Sequence, residues 1–179
     1  MRTIFAMLVA VAVILPGTAQ AQNIVLGGDL VYGMMMDEAS EDVTSMGLLL
    51  NGGYKLDFGL VPELQLGYQK LSHPDWEDVS ASWMPIMVGA RYMIPAGPVE
   101  AFAGAHVGIS KLSFSQGDYS DSTSHTSINL GGGATYPIND NFGIGGVLWY
   151  WILMPDGDAP DGAENQTVLN IGLTATYTM

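Results

Sequence analysis

From Ile24 to the C-terminus the sequence changes character at every second residue, and it does so in eight separate runs. The run "VLNIGLTATYTM" shows the pattern: Leu169, Ile171, Leu173, Ala175, Tyr177 and Met179 fall on one side, while Asn170, Gly172, Thr174, Thr176 and Thr178 fall on the other. A period of two is the signature of a strand whose faces meet different surroundings. The segments are 24–35, 45–55, 61–70, 80–92, 99–112, 126–136, 142–153 and 167–179. Between them lie short connections at 56–60, 93–98 and 137–141, alternating with longer polar ones at 36–44, 71–79, 113–125 and 154–166. Short and long connections on alternate ends describe an up-and-down antiparallel sheet. The terminal strand 167–179 is expected to pair with strand 24–35, because open edges invite unwanted pairing and closure removes them.

The N-terminus reads as a targeting segment. "MRT" is followed by twelve apolar residues, Ile4–Leu15, and then by Ala19-Gln20-Ala21, which fits a small-x-small cleavage rule. Residues 1–21 are therefore expected to be a signal peptide, and 22–179 a single barrel domain. Twelve residues are too few for a membrane-spanning helix, which needs about 20. The longest uncharged run further on, "FGIGGVLWYWILM", has 13 residues and three glycines, again too short.

Composition excludes several classes. Eighteen acids against five Lys and Arg, a net charge of −13, leave no basic footprint for nucleic acid. There is no cysteine, hence no disulfide framework and no thiolate metal site. Yet 48% of the residues are hydrophobic, so the chain is no disordered acidic tail.

An alternating ring can put its apolar face inward, as a soluble barrel does, or outward towards lipid. Tyrosine placement decides for the second. Seven of the eight tyrosines share the apolar face near strand ends: Tyr32, Tyr68 and Tyr150 at the long-loop end, and Tyr54, Tyr92, Tyr136 and Tyr177 at the short-turn end. Two such girdles suit the two interfaces of a bilayer, where an apolar ring with a wet hydroxyl is at home. The polar face then lines a narrow interior. Lys55 and Glu63 flank the first short turn, and Arg91 and Glu100 the second, so these four are expected to form interior ion pairs. Inward glycines leave room for them, and Trp149 and Trp151 fall inward by parity.

With these features the chain resembles the small eight-stranded outer-membrane barrels of Gram-negative bacteria, the OmpX, OmpW and OmpA-barrel type. The stretches that carry the resemblance are "VPELQLGYQKL", "PIMVGARYMIPAGPVEAFAGAHVGISKL" and the final strand. It implies an all-β, eight-stranded antiparallel up-and-down transmembrane barrel with long extracellular loops and short periplasmic turns. It also implies that the barrel-assembly machinery reads the last strand, although Met179 stands where the family usually has phenylalanine.

Thirteen of the 18 acids lie in the four long connections. Facing outward, they would meet lipopolysaccharide, with divalent cations as bridges. "DGDAPDGAE", with Asp156, Asp158, Asp161 and Glu164, lacks EF-hand spacing and reads as a solvated loop. Lys70 and Lys111 read as rim charges. "HTS", His125–Ser127, resembles the motif of outer-membrane lipid A deacylases, but parity turns it inward, away from a lipid substrate. His73 reads as a loop residue and His106 as an interior filler. The expectation is a non-enzymatic envelope protein with a structural or surface-interaction role and no cofactor. A narrow porin is the alternative, and a deacylase-like enzyme a second one.

Overall fold

The computed structural model describes residues 23–37, 42–76, 79–155 and 165–179. The expected signal peptide, 1–21, lies outside them. Eight strands follow one another in chain order: β1 (Ile24–Met35), β2 (Thr44–Tyr54), β3 (Leu60–Ser72), β4 (Val79–Ala96), β5 (Val99–Gln116), β6 (Tyr119–Pro137), β7 (Phe142–Pro155) and β8 (Gln166–Thr178). Each pairs antiparallel with its neighbours, and β8 returns to β1 to close a barrel. The seam is completed by Ile24 N–H to Met179 O at 3.1 Å and Met179 N–H to Ile24 O at 2.8 Å.

The stagger of the ring follows from its registers. A line of paired residues leaving β1 at Met35 passes through Val168, Trp151, Asn129, His106, Gly89, Glu63 and Gly53 and returns to β1 at Val25, ten residues lower. In an eight-stranded ring such a shear tilts the strands by about 40° and leaves an interior that side chains can just fill.

The faces sort as alternation requires. Along β7, Leu148 and Tyr150 are 48% and 39% exposed, while Trp149 and Trp151 are fully buried at 0%. Leu30, Leu50, Leu66, Ile86, Ile109, Leu130 and Ile171 join Leu148 on the outside. The leucines and isoleucines of the alternating face thus point away from the axis, and Asp29, Asn51, Glu63, Gln65, Gln69, Arg91, Asn129 and Asn170 point towards it.

Two departures from the sequence reading have physical causes. Residues 113–125, expected as a long polar loop, are almost all strand: β5 and β6 stay paired up to Gln116 and Tyr119, joined by Gly117-Asp118. Gly117 has φ +57°, the left-handed conformation that a two-residue hairpin turn requires. Polarity there marks water on both faces, not loss of pairing. Likewise 93–98 is not all turn, since Ala96 pairs with Val99 around Gly97, with φ +68°.

The inner wall is also less polar than the alternation suggests. Towards the long-connection end it carries Val31, Leu49, Leu71, Ala81, Trp83, Met87, Leu112, Leu153 and Val168, all buried. Trp83 and Trp151 meet edge to face with centroids 4.8 Å apart. Trp76 and Phe114 pack against this cluster from above.

Glycines give the large interior groups their space. A Cβ at Gly104 would sit 2.9 Å from Arg91 Cγ and 3.2 Å from the Trp149 ring, and one at Gly89 only 2.1 Å from the Ala105 carbonyl oxygen. Gly89→Ala must therefore move backbone, and is expected to cost about 1–3 kcal/mol. Gly28→Ala, whose nearest neighbour would be Leu50 Cδ2 at 3.7 Å, should be close to neutral. Urea unfolding in lipid vesicles, followed by tryptophan fluorescence, measures both; equal midpoints would contradict the packing described.

Candidate functional site

The turn-end half of the barrel holds a continuous polar network built on the inward positions of all eight strands. Arg91 on β4 donates from Nε to Glu63 Oε2 on β3 at 2.7 Å, and its Nη2 lies 2.6 Å from the same oxygen as an ion pair, while neither Nη group makes a hydrogen bond. The other Glu63 oxygen faces His106 Nε2 on β5 at 2.7 Å. His106 Nδ1 lies 3.4 Å from Asn129 Oδ1 on β6. Asn129 Nδ2 donates to Gln65 Oε1 at 3.1 Å, and Gln65 Nε2 to Asn51 Oδ1 at 2.8 Å. Asn51 Nδ2 then donates to Asp29 Oδ2 at 3.3 Å.

Asp29 ends the chain and is fully buried. It also accepts from Trp149 Nε1 at 3.2 Å and from Thr174 Oγ1 at 2.6 Å. No positively charged group pairs with it among the described residues; three neutral donors hold it instead. Buried carboxylates of this kind are kept by their hydrogen bonds, and each donor is costly to lose.

The structure brings the four charges of the sequence reading into the interior, but couples them between turns and not across each one. Lys55 Nζ meets Glu100 Oε1 at 2.7 Å, and Arg91 meets Glu63. The reason is register. Glu63 stands opposite Gly53 and Gly89, so Lys55 lies past it towards the mouth, whereas Arg91, two positions from Gly89, lies diagonal to it. The Glu63–Arg91 pair is almost wholly buried, at 0% and 1% side-chain exposure; the Lys55–Glu100 pair is about one-third exposed, at 34% and 35%. Arg91 is further covered by the Phe102 ring, 5.2 Å from its guanidinium carbon.

Tyr32, Tyr68 and Tyr150 lie outward at the long-connection end, and Tyr92, Tyr136 and Tyr177 outward at the turn end. Tyr54 is half-buried there, and its hydroxyl accepts from Asn23 Nδ2 at 3.2 Å. The eighth tyrosine, Tyr119, is exposed at the tip of the β5–β6 hairpin. Lys70 and Lys111 are exposed on the outer face.

Of the loop acids, Glu38, Glu41, Glu77, Asp78, Asp156, Asp158, Asp161 and Glu164 lie outside the described residues, and with them the "DGDAPDGAE" stretch. Asp37 is not simply solvated: its carboxylate accepts from Thr167 N–H at 2.8 Å and Thr167 Oγ1 at 3.1 Å, tying the first long connection to the start of β8. Ser127 of the His-x-Ser triplet is fully buried inside the barrel, and its hydroxyl donates to Ser110 Oγ at 2.7 Å.

Comparison with known proteins places this geometry. The family model described as "outer membrane protein beta-barrel domain" matches residues 5–177. The chain belongs to that family. No curated protein matches the sequence. Among solved structures, Neisserial surface protein A is similar with a TM-score of 0.70 at 12% identity, covering 87% of this chain and 97% of that one. Ail, the attachment invasion locus protein of Yersinia pestis, has a TM-score of 0.57 at 16% identity, covering 88% and 99%. The N-terminal barrel of Pseudomonas aeruginosa OprF has 0.51 at 17%, covering 88% and 100%. At such identities these structures share the fold.

Asp29, which closes the polar network, was not singled out from the sequence. Its signal was a lone inward carboxylate in "GGDLVYG". The two ion pairs differ in a measurable way. Glu63→Gln leaves Arg91 buried and unmatched and should cost about 3–5 kcal/mol, with part recovered in Glu63→Gln/Arg91→Met. Lys55→Ala, at the wet mouth, should cost no more than about 1 kcal/mol. A double-mutant cycle on unfolding free energies in vesicles checks both.

Proposed function

We propose that this chain is an exported outer-membrane barrel with a structural and surface-interaction role, doing its work at the outer rim and not through its lumen. The observation that carries this is the filled interior. Trp83, Trp149 and Trp151, with Leu49, Met87 and Leu153, are at 0–1% exposure, and two ion pairs and an amide network occupy the rest. A conducting pore needs a continuous wet path, and a side-chain-packed eight-stranded ring has none.

The surrounding features support the same reading. Cleavage after Ala21 would deliver the mature chain, with 18 acids and 4 cations, to the envelope. The barrel-assembly machinery would receive its last strand. The outward aliphatic band would sit in lipid, and the two tyrosine girdles, Tyr32, Tyr68 and Tyr150 against Tyr54, Tyr92, Tyr136 and Tyr177, would mark its interfaces. The loop-bearing end, with the protruding β5–β6 hairpin, would then face outward. No catalytic role is assigned: Ser127 spends its proton on Ser110 inside the wall, out of reach of an acyl chain.

Charge narrows the partner. Ail has been crystallised with sucrose octasulfate, a heparin analogue. The long connections and the β5–β6 hairpin of the present chain together hold 13 acids and would repel such a polyanion. They suit lipopolysaccharide bridged by magnesium or calcium, or a basic protein surface.

Three outcomes are expected of the purified, refolded barrel. In planar bilayers it gives no discrete current steps; a stable unitary conductance would favour the narrow-porin alternative. It associates with lipopolysaccharide micelles in millimolar magnesium and is released by EDTA, while sucrose octasulfate does not bind in the absence of divalent cations. Lipid A from cells expressing it and from cells expressing Ser127→Ala has the same mass spectrum; loss of an acyl chain only with Ser127 present would support the enzyme.

A further inference from the structure

Beyond the charged network, towards the long-connection end, the inner wall carries a second circuit of polar groups, several of them without a hydrogen-bond partner. Asn170 on β8 is the register partner of Gly33 on β1, and Gly33 is the partner of Ser45 on β2. A Cβ at Gly33 would lie 2.1 Å from Asn170 Oδ1 and 2.3 Å from Ser45 Oγ, so both side chains converge on the space the glycine leaves. Ser45 Oγ donates to Gln69 Oε1 at 2.9 Å. Gln69 is paired with Trp83, and Trp83 meets Trp151 across the lumen. Trp151 is paired with Val168, two residues from Asn170, which completes the circuit.

Five polar atoms of this circuit have no hydrogen-bond partner: Gln69 Nε2, Trp83 Nε1, Trp151 Nε1, and both Nδ2 and Oδ1 of Asn170. The four residues that bear them are at 0–1% exposure. Bare buried polar atoms are costly, and native interiors satisfy them with protein, water or ligand. Four of the five are N–H donors, so the complement they call for is an acceptor. No carboxylate belongs to the circuit; Asp29, below it, is committed to Asn51, Trp149 and Thr174. Leu71, Ala81, Leu112 and Leu153 are buried beyond it, so the circuit is cut off from the loop side by apolar groups.

We propose that this circuit is an occluded binding site for a small hydrogen-bond acceptor, either ordered water or a monovalent anion, held by the Gln69 and Asn170 amides and the two indole N–H groups. It is separate from the ion pairs and independent of any partner of the loops.

The test uses the whole barrel, ¹⁵N-labelled and refolded in bicelles, and reads the indole N–H resonances. Trp149, whose Nε1 is already bonded to Asp29, is the internal reference. Bound water predicts cross-relaxation with long-lived water at Trp83 and Trp151 but not at Trp149. A bound anion predicts saturable shifts of the same two resonances on bromide titration. In either case Asn170→Leu should bring the Trp151 signal to the Trp149 level, and Gln69→Leu should do the same at Trp83, in variants whose heat-modifiable gel mobility shows them folded. Indoles of Trp83 and Trp151 that show neither water contact nor bromide response in the folded wild-type barrel would overturn the proposal.

Discussion

Closure of eight strands with a stagger of ten residues is the constraint on which the remaining structure depends. It gives every strand two neighbours, so the backbone needs nothing from the medium outside it. It also makes the interior so narrow that each inward side chain touches others across the axis. Bulk must be shared out, which is why Arg91 and Trp149 lie over Gly104. Charge must be shared out too: Glu63 serves both Arg91 and His106, and Asp29 is surrounded by three donors. The outer face has the opposite freedom. Among the described residues nothing covers it, and its composition answers to the surrounding medium alone.

The interior is layered along the axis. The charged groups Lys55, Glu63, Arg91 and Glu100 occupy the turn end, whereas the loop end is dominated by Trp83, Trp151 and aliphatic side chains. This order separates the two sides of the barrel chemically, since the mouth with Lys55 and Glu100 is wet and the opposite one is capped by Trp76 and Phe114 over the Trp83–Trp151 pair.

Much of this was legible from the residues. Alternation located all eight strands, and parity put Trp149, Trp151, Lys55, Glu63, Arg91 and Glu100 inside. Parity cannot say which inward groups meet, because partners depend on the shear of the closed ring, a property of all eight registers together. Hence Lys55 was grouped with Glu63 when its contact is Glu100. The apolar half of the lumen was missed where both parities are apolar, as in "GLLLN" and "YWILM", since alternation carries no signal there. The β5–β6 extension was missed because serine, threonine and aspartate were read as loop formers, although "QGDY" has the glycine that a tight hairpin needs.

The bonds to Asp29 come from distant parts of the chain: Trp149 lies 120 residues away and Thr174 lies 145 away. An open sheet of strands β1 to β6 would contain Asp29 with only Asn51 to hold it. The remaining hydrogen bonds arrive with β7 and β8, the same strands that complete the circle. Sealing the wall and satisfying its innermost carboxylate are thus one event, and a half-zipped barrel carries an under-bonded acid that works against its entering the hydrocarbon before it is whole.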